Sequence, residues 1–321
     1  MTCPAWLWNR LLKFYSPPQL QDRGVSAGLD AIVRQFPHLP VSDEAPIFIF
    51  SAGWRSGSTL LQRLLNTHPD VMVWGEAYEN TFLFYHLAAP FAGFTKVDLD
   101  FLFRSDHTAD SMGHDDLTHS LTKAWIANLS PDPAELKLAN LAFFERLFKT
   151  YPSENNRSRW GIKLVSGTES LAKYLRWLYP NCKLLYLVRS PYASFSSYMS
   201  CTKDGTEPWY LHFPDYPVKH VVSFVTHWRR CAEGFLSSYR ELDALLVSYE
   251  ALIDGSMLEP LQQYLNLRLD VSILNSRVDF PAAWRTKKEI TTFEQHVIRF
   301  ISGDVARELG YLRSKNGSNK V

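Results

Sequence analysis

The sequence predicts an α/β fold: a single domain with a central, mostly parallel β-sheet, flanked by helices and interrupted by a helical insertion. Three observations predict it. Short continuous apolar runs, the pattern of strands buried on both faces, recur along the chain. Amphipathic segments long enough for crossover helices separate them. Finally, 46% hydrophobic residues over 321 positions supply a full core, which excludes a disordered chain, a small disulfide scaffold and a collagen-like fibre.

Taken in order, Pro17, Pro18, Pro37, Pro40 and Pro46 mark residues 1–45 as an irregular lead-in, so the ordered domain, 46–321, is expected to begin near residue 45. Trp8, Leu11, Leu12 and Tyr15 share one helical face, which reads as a helix docked on its own domain, with a membrane-surface helix as the alternative. Ile47 to Ser51, Val71 to Trp74, Arg159 to Val165, Lys183 to Val188 and Leu245 to Tyr249 read as strands. Helices are predicted at about 58–66, 168–179, 191–200, 218–240 and 291–309. Residues 77–150 break the rhythm with aromatics, an acidic segment and two helices, near 117–128 and 133–149, and read as an insertion over the sheet.

Charge and cysteine usage narrow the function classes. With 34 Lys and Arg against 33 Asp and Glu, the chain lacks the basic excess of a general nucleic-acid binder, so any anion it binds must be met by local charge. Cys3, Cys182, Cys201 and Cys231 form no C-x-x-C pair, which disfavours a zinc knuckle or disulfide framework and fits a reduced, cytoplasmic setting. The longest uncharged stretch, Asn80 to Thr95, contains His86 and Pro90 and is too short to span a bilayer; Arg10 and Lys13 interrupt any signal-peptide core. No transmembrane segment is expected. The chain says nothing of oligomeric state.

In folds of this class ligands sit at the carboxyl ends of the strands. After the first strand comes Ser51-Ala52-Gly53-Trp54-Arg55-Ser56-Gly57-Ser58-Thr59, leading into Leu60, Leu61, Leu64 and Leu65. A Gly- and Ser-rich turn between strand and helix aims successive N–H groups at an anion and adds the helix dipole, a P-loop-like phosphate cradle. It is not the nucleoside-triphosphate form, because Ser58 rather than Lys follows Gly57 and the basic residue, Arg55, precedes it. The fourth strand ends in Arg189-Ser190-Pro191, with Ser190 suited to an N-cap and Pro191 to the first helical position. Ser197 then lies about two turns up, on the face of Ser194. An Arg at a strand end with a hydroxyl on the next helix can hold a second phosphate. Two anion sites in one sheet point to a doubly phosphorylated nucleotide.

These residues resemble the sulfotransferases that use 3′-phosphoadenosine-5′-phosphosulfate (PAPS). Gly53 to Leu61 is similar to their 5′-phosphosulfate loop, in the R-S-G-[ST]-[ST] form of Golgi-type, tyrosylprotein and many bacterial members, and Leu187 to Tyr198 to their 3′-phosphate motif. The likeness extends through His68-Pro69-Asp70, Gly75-Glu76, Trp160-Gly161-Ile162-Lys163, Tyr249-Glu250-Ala251-Leu252 and Ala306 to Tyr311, over roughly residues 46–76, 159–255 and 284–311. It implies sulfuryl transfer from PAPS to a hydroxyl or amine of a small-molecule acceptor, with PAP as product, no metal required and no nucleic-acid partner. Arg55, Ser56, Gly57, Ser58 and Thr59 would hold the 5′ end, Arg189 and Ser197 the 3′-phosphate, and Tyr249 the base region. Arg55 and Lys163 would stand beside the leaving group and Glu76 would be the general base, with Glu79 its rival. His68 and His86 read as structural. Near the C-terminus Trp284, Arg285, Lys287 and Lys288 would either close over the 3′-phosphate or form a solvated run. The resemblance leaves the acceptor open, with carbohydrate, lipid or protein tyrosine as alternatives. An ATP- and Mg-dependent phosphotransferase, or a silent nucleotide-binding protein, remains the reading from another class.

The insertion is where the acceptor would be selected. Phe82, Phe84, Tyr85, Phe91 and Phe94 read either as an apolar acceptor lining or as core. Asp98, Asp100, Asp106, Asp110, Asp115 and Asp116 form an acidic stretch opposed only by Arg104, either a solvated loop or a rim that attracts a cationic acceptor. If a rim, neutralising Asp115 and Asp116 together raises the KM of a cationic acceptor; an unchanged KM removes the idea.

Overall fold

The computed structural model describes residues 24–96, 133–165, 167–200, 220–275 and 289–312, with short pieces at 4, 6–7, 10, 131, 202–203, 207–208 and 218. The predicted helix near 117–128 and the acidic stretch 98–116 lie outside the described residues, as do most positions of the face containing Trp8.

The apolar runs form five strands, β1 (Ile47–Ser51), β2 (Val71–Trp74), β3 (Arg159–Leu164), β4 (Lys183–Val188) and β5 (Ala244–Ser248). They make one all-parallel sheet in the order β2, β3, β1, β4, β5, so the fold is α/β. Strand alternation splits the core in two. Phe48 and Phe50 of the central strand enter the larger cluster, with Trp160, Tyr179 and Tyr186. Ile47 and Ile49 enter the smaller one, with Leu61, Leu64, Leu65, Leu185 and Val247. Every residue of β1 is buried, which is why its sequence reads as continuous rather than alternating.

The topology positions the site. The chain leaves β1 toward β2 on one side and leaves β4 toward β5 on the other, although β1 and β4 are neighbours paired from Ile47 with Lys183 to Ser51 with Leu187. Connections that diverge from adjacent strands open a crevice at their carboxyl ends. The loop after β1 and the loop after β4 face it.

The helices in chain order are α1 (Val25–Gln35), α2 (Ser58–Leu65), α3 (Leu83–Ala88), α4 (Pro133–Phe144), α5 (Glu169–Leu178), α6 (Pro191–Met199), α7 (Val221–Ser238), α8 (Tyr249–Ile253), α9 (Leu258–Leu265) and α10 (Thr292–Glu308). The lead-in is not irregular throughout: α1 lies within it, burying Val25, Leu29 and Ile32 in the larger cluster. These residues repeat at helical spacing, but the surrounding prolines obscured them. Lys173 of α5 pairs with Asp30 of α1 at 3.2 Å.

The expected helix over 133–149 also differs. After α4 the chain makes a π-helical turn, Glu145–Lys149, and a last turn, Thr150–Glu154. Pro152 has no N–H to give the Phe148 carbonyl four residues earlier, and that carbonyl instead accepts the indole N–H of Trp74 at 2.8 Å. The described insertion residues complete the core: Phe84 stacks on Phe144 and Phe148 on Trp160. Phe82, Phe84, Tyr85 and Phe91 are buried there and Phe94 packs against it, so these aromatics are core, not an acceptor lining.

Gly28 of α1 abuts the Phe91 carbonyl, and a Cβ would lie 1.8 Å from that oxygen. Gly28→Ala is therefore expected to lower stability by about 1–3 kcal/mol in urea unfolding. Ser26→Ala on the same helix should stay within about 0.5 kcal/mol of the parent.

Candidate active site

Left-handed backbone shapes the loop after β1. Gly53, Arg55 and Gly57 have φ of 81°, 62° and 92°. A non-glycine residue in this region stores about 1 kcal/mol or more of strain, which persists only where neighbours fix it. The Ser56 hydroxyl braces the turn by donating to the Gly53 and Ala52 carbonyls at 2.8 and 3.2 Å. Gly57 is the N-cap of α2, so the first amides of that helix, beginning with Ser58 and Thr59, have no carbonyl of their own helix to bond and lie at its positive pole. Only glycine fits at 57 on a second count: a Cβ would lie 2.1 Å from the ring of Tyr249.

The loop after β4 carries the other half. Arg189 lays its guanidinium 4.3 Å above the Tyr249 ring, and its Nη1 donates to the Arg55 carbonyl at 2.9 Å. Its Nε is buried with no hydrogen-bond partner. Ser190 and Pro191 stand at N-cap and N1 of α6, but the Ser190 side chain makes no capping bond; its backbone N–H donates to Glu250 Oε1 at 3.1 Å. That carboxylate belongs to α8, so the bond ties the end of β4 to the end of β5. Two turns up α6, the Ser197 hydroxyl accepts from Arg55 Nε at 3.1 Å. Arg55 thus joins the half-sites twice, by its carbonyl to Arg189 and by its side chain to Ser197. Ser194, on the same face, is fully buried.

A third group lies on the β2 side. Lys163, in β3, points to the face of α2, where its Nζ donates to Thr59 Oγ1 at 3.3 Å and pairs with Glu76 Oε1 at 2.8 Å. The Lys163 side chain is 6% exposed and that of Glu76 46%, so the pair is anchored at one end and open to solvent at the other. Glu79 turns inward instead: it is buried and accepts the Val165 N–H at 3.1 Å. His68 accepts the Asp70 N–H in a turn, and His86 is exposed on α3. Arg285, Lys287, Trp284 and Lys288 lie outside the described residues. Among the described residues no group of three His, Cys, Asp or Glu side chains is placed to hold a metal, and no helix is long and apolar enough to cross a membrane.

A sequence model of the sulfotransferase family matches residues 46–270, which span β1 to the end of α9 and so both half-sites. The chain belongs to the sulfotransferase family. Among solved structures, a sulfotransferase from Alicyclobacillus acidocaldarius is similar at 17% identity, with 85% of this chain and 98% of that chain covered and a TM-score of 0.40. Sulfotransferases from Mycobacterium avium and Mycobacterium tuberculosis H37Rv are similar at 12% and 16% identity, covering 90% and 89% of this chain and 82% of each of theirs, both with TM-scores of 0.39. No curated protein sequence matches.

Sequence reasoning missed what lies under the loop of this sulfotransferase. His227 of α7 is buried and stacks on Trp54, centroids 4.6 Å apart and planes at 28°. A Cβ on Gly53 would lie 3.2 Å from the same imidazole. Its position on the inward face of a long apolar helix was the available signal, but nothing local pairs it with the loop.

Burial, with a smaller contribution from Arg230, pushes the His227 pKa down to about 3. Around the imidazole stand Trp54 and Gly53 from the loop and Cys231, whose Sγ is 3.7 Å from Nε2. The unfolded chain takes up this proton near its ordinary pKa, about 6.5, and the folded chain does not, so stability falls as pH drops through that value and levels only near pH 3. Urea unfolding across this window should show His227→Phe reducing the slope by up to about 1.4 kcal/mol per pH unit. An identical slope in the variant contradicts the neutral imidazole.

Proposed function

We propose that this sulfotransferase moves the sulfuryl group of PAPS to a hydroxyl or amine of a small-molecule acceptor and releases PAP. The observation that carries the reading is the Arg55 bridge: the loops after β1 and β4, each with an arginine, are tied together where the connections of the two strands diverge. A nucleotide with phosphate at both its 3′ and 5′ positions matches such a pair. The cradle fits a phosphate ester chemically, since it offers helix-terminal amides, a glycine floor and a buried guanidinium N–H without partner.

When bound, PAPS supplies a sulfuryl group on a good leaving group, the 5′-phosphate of PAP. The chain's task is to orient the ends and to meet charge that grows on the bridging oxygen. Ser56, Gly57, Ser58 and Thr59 would cradle the 5′ end, and Arg189 and Ser197 the 3′-phosphate, with Tyr249 supporting the base region through its contacts with Gly57 and Arg189. Lys163, fixed by Thr59 and Glu76, donates a hydrogen bond or proton to the departing oxygen, assisted by Arg55. Glu76 takes the acceptor's proton as its oxygen or nitrogen bonds to sulfur. Glu79 is the poorer base, being engaged with Val165.

Calorimetry with PAP, ATP and ATP plus Mg²⁺ tests the nucleotide. PAP should bind without metal and Arg189→Ala should weaken it at least about tenfold, whereas metal-dependent ATP binding alone sinks the reading. Lys163→Ala is expected to keep PAP binding and lose about 10²–10³ in turnover of PAPS. Equal activity in that variant removes the assigned role.

A further inference from the structure

The two half-sites must be held at one separation for a single nucleotide to engage both, and the polar Arg55 bridge, on an exposed side chain, is too compliant to fix it alone. A stiffer connection lies beneath. Trp54, adjacent to Arg55, sits with its ring on His227 of α7 and 5.9 Å from the ring of Tyr198, the α6 residue after Ser197. Tyr198 is itself held, its hydroxyl donating to the Val218 carbonyl at 2.9 Å and its ring 5.1 Å from Phe224 of α7. His227 also backs Gly53, the residue before Trp54. The next residue on α7, Trp228, donates its indole N–H to the Arg189 carbonyl at 3.0 Å. One helix therefore touches the 5′ loop through His227 and the 3′ strand end through Trp228, with the Trp54 ring wedged between the loop and both helices.

We propose that Trp54, seated on His227, is a positioning residue: the spacer that sets the separation of the two phosphate half-sites, and so the enzyme's preference for a nucleotide phosphorylated at both ends. This deepens the PAPS reading and rests on it. A wedge of packed rings resists displacement because interiors are close-packed and aromatic pairs hold defined geometry. Removing it leaves each half-site its own donors but loosens their registration. The loss then falls on ligands that must satisfy both sites at once, much as linked binding elements lose avidity when geometry forbids joint engagement.

The test compares PAP with adenosine 5′-monophosphate and adenosine 3′-monophosphate, which carry one phosphate each. In Trp54→Ala, the Kd of PAP should rise about tenfold or more while that of either monophosphate changes less than about threefold. Trp54→Phe and His227→Phe, which keep a ring on each side of the contact, should retain the parent preference within about threefold. Should Trp54→Ala not yield folded protein, Trp54→Leu keeps an apolar side chain in part of that space without a ring face and carries the same expectation. Equal weakening of all three ligands would mean that Trp54 merely maintains the loop, and overturns the proposal. Parent protein that binds PAP no better than the monophosphates overturns the two-phosphate reading beneath it, whatever the variants do.

Discussion

Everything at the crevice depends on two parallel strands, β1 and β4, that lie next to each other while their connections run apart. Adjacent strands place their carboxyl ends about 5 Å apart, so the loops that follow must be close. Divergent connections keep a helix from covering the gap between them. The chain fills that gap with cationic and N–H groups: the opening turn of α2, Arg55 and Arg189. Two guanidinium-bearing residues so near each other repel unless an anion or the backbone intervenes. The Arg55 carbonyl takes that part for Arg189, and the Ser197 hydroxyl accepts from Arg55. Both acceptors are neutral, and a phosphate would satisfy the same donors more strongly.

The loop after β1 is braced on several sides, whereas the Lys163–Glu76 pair is open to solvent at one end. The loop turns left-handed at Gly53, Arg55 and Gly57; a Cβ on Gly53 would press on His227 at 3.2 Å, and one on Gly57 would clash with the Tyr249 ring at 2.1 Å. Lys163 is held within the sheet, yet its partner Glu76 reaches solvent. In the proposed reaction, such a division would let a nucleotide be fixed before an acceptor arrives.

Much of this was legible in the sequence, for physical reasons that differ by element. The strands announced themselves because a strand buried on both faces must be apolar throughout, and β1, β2 and β4 have the predicted limits. Arg189 and Ser197 could be read together because both lie on one strand-to-helix unit; in the structure each is bonded to Arg55. The contact of Arg55 with Ser197 was visible only as a shared ligand, and the stack of Trp54 on His227 not at all, because each joins elements whose proximity depends on the sheet order. Helix α1 was hidden by prolines around it although Val25, Leu29 and Ile32 keep its period. The aromatics from Phe82 to Phe94 were ambiguous in the same way: composition marks them for burial without saying whether a ligand or a core buries them.

The central claim is that this crevice delivers the sulfuryl group of PAPS to an acceptor. The most direct measurement is incubation of the purified protein with PAPS carrying a radioactive sulfur, together with a metabolite extract, followed by separation of labelled products and quantification of PAP. The account predicts that label passes to an organic acceptor while PAP appears in equal amount, and that boiled protein does neither. PAPS left intact across all extracts, or label found only as inorganic sulfate, would contradict it.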